Sequence, residues 1–127
     1  MKSKTLIIGI ASFKTYRART LAIARGEYKP GKDDPKIWFS SIESLAQVLS
    51  TKNQMLLEII ATEHPASITE LSRLAGREKS NLSRTLKTME KYGLVELNQG
   101  EGREIVPHAP YGYFKVECDV FSSVKVS

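Results

Sequence analysis

The sequence predicts an α+β fold that is mainly α, and three observations carry this prediction. Between residues 40 and 70, three helix-start signatures occur in which a hydroxyl residue precedes Glu or Gln by three positions. Segment 79–92 then repeats leucine and methionine at the i, i+4, i+7 spacing of a helix with one apolar face. Segment 94–106 reads as strand, turn and strand. Helices followed by a hairpin in this order predict a winged helix-turn-helix, with a strand-helix arm before it and a β-strand after it.

Length and composition place the chain among small globular proteins. Its 127 residues fit one compact domain with a short extra arm. The content of 41% hydrophobic and 26% charged residues is enough for a core. The formal net charge of +5 favours an anionic partner, and residues 1–52 hold ten Lys and Arg against four acidic residues. The basic excess therefore belongs to the N-terminal part of the chain.

Cysteine usage and motif content exclude several classes of protein. Cys118 is the single cysteine and cannot form an internal disulfide, which fits a cytoplasmic protein, and we expect it to be a buried small hydrophobic residue. The apolar run near the start is short for an export signal, and no segment has transmembrane length. Because no nucleophile elbow, phosphate-binding glycine loop or metal-ligand spacing occurs, we expect no enzyme, no metal and no cofactor.

The predicted organisation has three parts. Residues 1–36 form a basic arm of a strand (Thr5–Ile10), a helix (Phe13–Gly26) and a connector rich in Pro, Gly and charge. Residues 37–110 form the winged helix-turn-helix, and residues 111–127 form a strand and tail. In that last part, apolar and charged residues alternate from Phe114 to Val120, as in a half-buried strand.

The domain of residues 37–110 has predicted bounds for each element. The helices are expected at Ile42–Ser50, Gln54–His64, Ile68–Ala75 and Lys79–Tyr92. The three helix-start pairs are Ser40 with Glu43, Thr51 with Gln54, and Ser67 with Glu70. The hairpin is expected as strands Leu94–Leu97 and Arg103–Val106 around the turn Asn98–Gly102.

The helix at Lys79–Tyr92 has the residue types that a recognition helix needs. Behind its polar face, Leu82, Leu86 and Met89 form a narrow apolar stripe. Asn81 suits a bidentate contact to adenine and Arg84 one to guanine. The remaining predicted DNA contacts are Arg77, Lys79, Ser80, Ser83, Lys87 and, on the hairpin, Arg103. The alternative is that this polar face is only solvated.

The basic arm has two interpretations. Lys14, Arg17 and Arg25 lie on one side of the predicted helix. They could contact DNA phosphates or an acidic partner protein. They could also be solvated on a helix that takes part in dimerisation.

The run LSRLAGREKSNLSRTLKTMEKYGLVEL, Leu71–Leu97, resembles MarR-like winged-helix regulators. Together with IWFSSIESLAQVLS and IARGEYKP, nearly the whole chain resembles a family of short DNA-binding regulators of bacteria and archaea. The resemblance implies a DNA-binding role for Arg77 through Lys87, and an antitoxin role beside a small toxin in some members. Arg77 replaces a small apolar residue usual in MarR-like turns, so we expect its side chain to point outward. The hairpin is less basic than in many relatives, since Glu101 and Glu104 lie close to Arg103 in the sequence.

The function expected from these features is sequence-specific binding of double-stranded DNA. We expect a homodimeric transcriptional repressor, with autoregulation as a further expectation, because two subunits would place two recognition helices in successive major grooves. The alternative is an antitoxin-like module that sequesters a small toxin-like partner protein. In that case DNA binding is secondary. No membrane partner is expected.

Overall fold

The computed structural model describes residues 4–119, and in that range it contains five α-helices and five β-strands. The elements are β1 (Lys4–Ile10), α1 (Phe13–Ala24), β2 (Ile37–Phe39), α2 (Ile42–Val48), α3 (Thr51–Glu63), α4 (Ile68–Ala75), α5 (Lys79–Lys91), β3 (Glu96–Gln99), β4 (Ile105–His108) and β5 (Tyr111–Cys118). The mixed composition of five helices and two small sheets agrees with the predicted α+β class.

The chain divides into two compact units. The first contains Thr5–Ala46 and the chain from Tyr113 onward, and we name its described part the sheet unit. The second contains Gln47–Gly112 together with Lys4, and we name it the helical unit. The predicted division at residues 36 and 110 stays a prediction.

The sheet unit is built on a three-stranded sheet in the order β2-β1-β5. β1 and β2 run parallel, with Ile8 opposite Ile37 and Ile10 opposite Phe39. Parallel neighbours need a crossover connection, and here it contains α1. The core of this unit takes alternate residues of β1 and the end of β2: Leu6, Ile8, Ile10 and Phe39. The strand β2 was not predicted.

A glycine in β1 makes room for the only tryptophan of the chain. Gly9 pairs with Trp38 across the sheet, and a Cβ atom at Gly9 would lie 2.5 Å from two carbon atoms of the Trp38 ring. No side chain fits there without moving the indole. On the same ring, Tyr16 of α1 packs with its centroid at 6.0 Å.

The helix α1 is confirmed but contributes no fully buried residue. Ser12 caps its start by accepting a hydrogen bond from the Thr15 backbone N–H at 3.2 Å. The helix ends at Ala24, before the predicted Gly26. Phe13 is 74% exposed, so the apolar side of this helix is open at its N-terminal end.

The helical unit has a continuous apolar core from three consecutive helices. α5 buries Leu82, Leu86 and Met89 completely, at the predicted i, i+4, i+7 spacing. Leu71 of α4 is equally buried, and so are the residues that follow α5, Leu94 and Val95. The core residues contributed by α3 are Leu56, Leu57 and Ile60.

Two of the three predicted helix caps are wrong by one residue. α2 is capped by Ser41, which accepts from the Ser44 N–H at 3.0 Å, and not by Ser40 with Glu43. α3 is capped by Ser50, not Thr51, which is the first residue of the helix. In both places two hydroxyl residues are adjacent, and either could cap by residue type alone. The third prediction is confirmed, since Ser67 accepts from the Glu70 N–H at 3.0 Å.

The hairpin lies two residues later than predicted. β3 and β4 are antiparallel, with Asn98 opposite Val106. The turn closes with a hydrogen bond of 2.9 Å from the Gly100 N–H to the Glu104 carbonyl. The predicted strand at Leu94–Leu97 begins too early because Leu94 and Val95 belong to the core between α5 and β3.

The last described strand, β5, is long and open to solvent. The predicted alternating strand is confirmed as far as Cys118, while Val120 lies outside the described residues. The prediction that Cys118 is buried is wrong, because it is an exposed free thiol on an edge strand. Alternation identifies the faces of a strand but not whether either face is covered. Across residues 4–119, no helix has the length and apolarity to cross a membrane.

Candidate nucleic-acid interface

The most polar helix surface in the helical unit is the face of α5 opposite its buried stripe. Helical geometry places Ser80, Arg84 and Lys87 on one row, about half a turn from Leu82 and Leu86. All three are exposed, and so are Lys79 and Asn81 at the first turn. Ser83 is half-buried at the margin of this face. One side of α5 is therefore packed and the other is free to meet a second surface.

The turn before α5 has a defined backbone conformation. Gly76 ends α4 in the left-handed conformation, with φ of 66°, where glycine has no Cβ to clash. Its N–H donates to the Ser72 carbonyl at 2.9 Å, and the Ser72 hydroxyl donates to the Arg77 carbonyl. The loop between α4 and α5 is thus tied back to α4 at two points, which fixes the start of α5.

The backbone N–H groups in the first turn of α5 receive no side-chain cap. Glu78 occupies the N-cap position but makes no side-chain capping hydrogen bond. The first N–H groups of a helix have no partner within the helix, and their partial positive charge favours an anion. Lys79 in this turn and Arg84 one turn later are both exposed and add positive charge near this end.

The guanidinium of Arg77 bonds to three side chains within the helical unit. It donates to Oδ1 of Asn53 at 3.1 Å, to Oδ1 of Asn81 at 2.9 Å and to Oγ1 of Thr85 at 3.1 Å. Asn53 in turn donates from its amide nitrogen to the Val48 carbonyl at 2.9 Å. Arg77 is half-buried and holds α5 to the start of α3.

This network also sets the orientation of the Asn81 side chain. A guanidinium has donors and no acceptor, so the group of Asn81 that faces Arg77 must be its oxygen. One lone pair of that oxygen remains for a further donor, and the amide nitrogen keeps both of its hydrogens. The sequence did not indicate Asn53 and Thr85 as members of the site. The only signal was the i, i+4 and i+8 spacing of Arg77, Asn81 and Thr85 along one helix side.

The other predicted contact residues lie elsewhere. Arg103 is exposed in the hairpin turn, between Gly102 and Glu104. Lys14 and Arg17 are exposed on α1, and Arg25 is the exposed C-cap residue of that helix. These three cations of the arm belong to the sheet unit.

One arginine of α1 that was not predicted has a structural role. Arg19 forms an ion pair with Asp34 at 3.1 Å, and its guanidinium lies 5.0 Å from the ring centre of Trp38 and 5.5 Å from that of Tyr28. The Tyr28 hydroxyl donates a hydrogen bond to Asp34. This bond is the main reason why the pKa of Asp34 is lowered, with the ion pair to Arg19 acting in the same direction. The same bond raises the pKa of Tyr28.

Comparison with protein families identifies the helical unit. Residues 48–116, more than half of the chain, match the family HVO_A0114. The chain belongs to the HVO_A0114 family. The matched region runs from the end of α2 into β5 and includes α3, α4, α5 and the hairpin. In this HVO_A0114 protein, the polar face of α5, the Arg77 network and the hairpin are therefore all inside the family region.

Two further comparisons add little to this family assignment. No curated protein matches the sequence. Among solved structures, the chain is similar to one described as the predicted DNA-binding transcriptional regulator from E. coli, with a TM-score of 0.45 and 18% identity over 86% of this chain and 90% of that chain.

Proposed function

We propose that the protein is a sequence-specific regulator of transcription that binds double-stranded DNA through a winged helix-turn-helix. α4 and α5 are the helix-turn-helix, α5 is the recognition helix, and β3 and β4 are the wing. The observation that carries the proposal is the division of α5 into a fully buried apolar stripe and an exposed face of short polar and basic side chains. A helix that enters the major groove needs both, because packing fixes its position and the exposed face reads the bases.

The proposed contacts follow from donor and acceptor chemistry. Asn81 pairs with the N6 and N7 groups of adenine, and Arg84 with O6 and N7 of guanine. Lys79, Ser80, Ser83 and Lys87 contact phosphates or base edges, and the free N–H groups at the start of α5 donate hydrogen bonds to a phosphate oxygen.

In this proposal Arg77 is a positioning residue. Its bond to Oδ1 at 2.9 Å holds the Asn81 amide in one of its two orientations before DNA arrives. The same oxygen can still accept a hydrogen from adenine N6, because an amide oxygen has two lone pairs. Pre-ordering the amide lowers the entropy lost on binding. Arg77, which the sequence predicted as an outward-pointing DNA contact, bonds to Asn53, Asn81 and Thr85 instead.

We further propose that the protein acts as a homodimeric repressor on a near-palindromic site. Two copies related by twofold symmetry place two α5 helices one helical turn of DNA apart, which is the usual geometry of helix-turn-helix dimers. Autoregulation would follow if such a site lies upstream of the protein's own gene.

The decisive experiment selects a DNA site and then tests the residues that read it. The full chain is used to enrich duplexes from a random-sequence pool, and binding to the consensus and to a scrambled duplex is measured across a salt series. We expect Asn81→Ala and Arg84→Ala each to weaken specific binding by about 1–3 kcal/mol and to relax the preference at one base pair. Lys87→Ala should weaken binding to both duplexes and reduce the salt slope.

The matched control is Lys29→Ala, which removes one positive charge from an exposed residue of the loop between α1 and β2. It should change the affinity only slightly. The proposal is wrong if no sequence is enriched, or if the α5 variants bind the consensus as tightly as the wild-type chain does.

A further inference from the structure

The two edges of the sheet in the sheet unit differ in length. Within the described chain, the sheet order β2-β1-β5 leaves β2 at one edge with three residues and β5 at the other with eight. Short edge strands, prolines, bulges and charged side chains, above all lysine, are the usual means of preventing edge-to-edge pairing. β2 is short, whereas β5, of sequence YGYFKVEC, has neither the short length nor a proline, and its lysine is followed two positions later by a glutamate on the same face.

Most side chains of β5 are exposed, on both faces of the strand, and Tyr111 and Phe114 are half-buried. Tyr113 is 61% exposed and Val116 is 47% exposed, while Lys115, Glu117 and Cys118 are exposed as well. Because side chains alternate along a strand, Phe114, Val116 and Cys118 share one face, and Lys115 and Glu117 share the other. An exposed strand with an apolar face and adjacent opposite charges is suited to pairing with another strand.

We propose that β5 is a self-association strand that pairs antiparallel with β5 of a second copy of this chain. The two-fold axis passes beside Val116. The two sheets then join into one sheet of six strands, in the order β2-β1-β5 followed by the partner's strands in reverse. This strand is the surface that forms the dimer, and the pairing does not require DNA.

The charged residues of β5 favour the register in which the two-fold axis passes beside Val116. In a twofold antiparallel pair, directly opposite residues have numbers with a constant even sum, because both must lie on the same face of the sheet. With Val116 on the axis, Lys115 of each chain lies opposite Glu117 of the other, and Phe114 lies opposite Cys118. Two cross-strand ion pairs form on one face and an apolar row forms on the other.

Neighbouring registers lose these pairs. An axis at Lys115 places the two lysines opposite each other, and an axis at Glu117 does the same for the two glutamates. Like charges directly opposite are destabilising. An axis at Phe114 pairs more residues but places Lys115 and Glu117 opposite tyrosines, with no ion pair.

The experiment is a charge-swap cycle on the full chain, read as the dimer dissociation constant by sedimentation equilibrium at low ionic strength. We expect a dimer for the wild-type chain. Lys115→Glu and Glu117→Lys should each weaken it by about five- to thirtyfold, since each converts two attractive pairs into two repulsive ones. The double variant K115E/E117K should return to within about twofold of the wild type, because both pairs are restored with reversed sign.

Glu43→Lys is the matched control, since Glu43 is an exposed acidic residue of α2 in the same unit. It should leave the dissociation constant unchanged. A monomeric wild type, or single variants as dimeric as the control, would overturn the proposal. A double variant no better than the single ones would overturn the register.

Cross-linking provides a second readout that does not depend on charge. In a Cys118→Ser background, Val116→Cys should be joined into a dimer by a short bismaleimide, and Glu43→Cys should not. Equal cross-linking of both variants, or of neither, contradicts the interface. DNA binding is measured separately on the same variants, so a monomer that still reads its consensus would refute the β5 interface and leave the proposed DNA-binding function standing.

Discussion

The helices α1 and α5 are similar in length and both are basic, yet they are held in place by different forces. α5 buries three large apolar residues completely, whereas α1 buries none. α1 is held instead by Arg19, through its ion pair with Asp34 and its position over Trp38 and Tyr28. Burial along one stripe fixes a helix while its opposite face stays open, as a recognition helix requires. The sheet unit leaves apolar side chains exposed on α1 and β5, among them Phe13, Tyr113 and Val116.

The largest expected difference between the two units is the loss of folding stability when an apolar side chain of α5 or of α1 is removed. Leu86→Ala in α5 removes a fully buried side chain and should lower the free energy of unfolding by about 2–5 kcal/mol. Urea unfolding followed by circular dichroism measures the change, because most helical residues lie in the helical unit.

The paired variant is Phe13→Ala in α1, where the side chain is 74% exposed. It should change stability by no more than about 0.5 kcal/mol in the monomer. If the two variants were equally destabilised, the contrast between a packed and an uncovered helix would be wrong.

A second prediction concerns the contact between Gly9 and Trp38. Gly9→Ala places a methyl group within 2.5 Å of the indole, so the ring must move, and we expect a loss of about 1–3 kcal/mol. Trp38 is the only tryptophan, so its fluorescence reports on the sheet unit directly. We expect a shifted emission maximum and an earlier unfolding transition by fluorescence. A matched Gly31→Ala variant, where a Cβ would lie no closer than 3.7 Å to its nearest neighbour, should leave both unchanged.

The smallest effect is the pH dependence of the sheet unit. The pKa of Asp34 is lowered in the folded chain, chiefly by the Tyr28 hydroxyl and further by Arg19, from an ordinary value of 3.8. A carboxylate with a lowered pKa stabilises the fold at pH values above its unfolded pKa, and the contribution is lost as the pH falls through the folded value. The fluorescence-detected stability should therefore decline below about pH 4.

Asp34→Asn removes the ionisable group and tests this assignment. The variant should be less stable than the wild type at neutral pH and should show a flatter dependence on acid. An unchanged acid profile would mean that Asp34 does not carry the effect.

Local patterns in the sequence were sufficient for most elements of the helical unit. The stripe in α5 is a periodicity along one helix, and the cap of α4 at Ser67 is a contact within one helix, so residue spacing predicted both. The caps of α2 and α3 were displaced by one residue because adjacent hydroxyls compete for the same N–H groups. Similarly, the start of β3 was displaced because Leu94 and Val95 satisfy both a strand pattern and a core position.

What could not be predicted depends on residues distant in the chain. β2 has only three residues, and its strand character comes from pairing with β1. The exposure of Cys118 depends on β5 being at the edge of its sheet. The partners of Arg77 include Asn53, which is 24 positions away and carries no signal in the local sequence. For the candidate site, the exposed row on α5 was predictable from periodicity, but the ordering of Asn81 was not.

The pairing of β5 with β1 joins the two ends of the described chain, and this affects the order of folding during synthesis. Every contact within the helical unit is available once residue 112 has left the ribosome, whereas β1 lacks its second neighbour until β5 has emerged. The roughly 100 residues between these strands take about 5–20 s to translate at about 5–20 residues per second. The nascent chain therefore carries β1 with an open edge throughout this period, and the sheet closes only after the residues of the helical unit, which end at residue 112, have been translated.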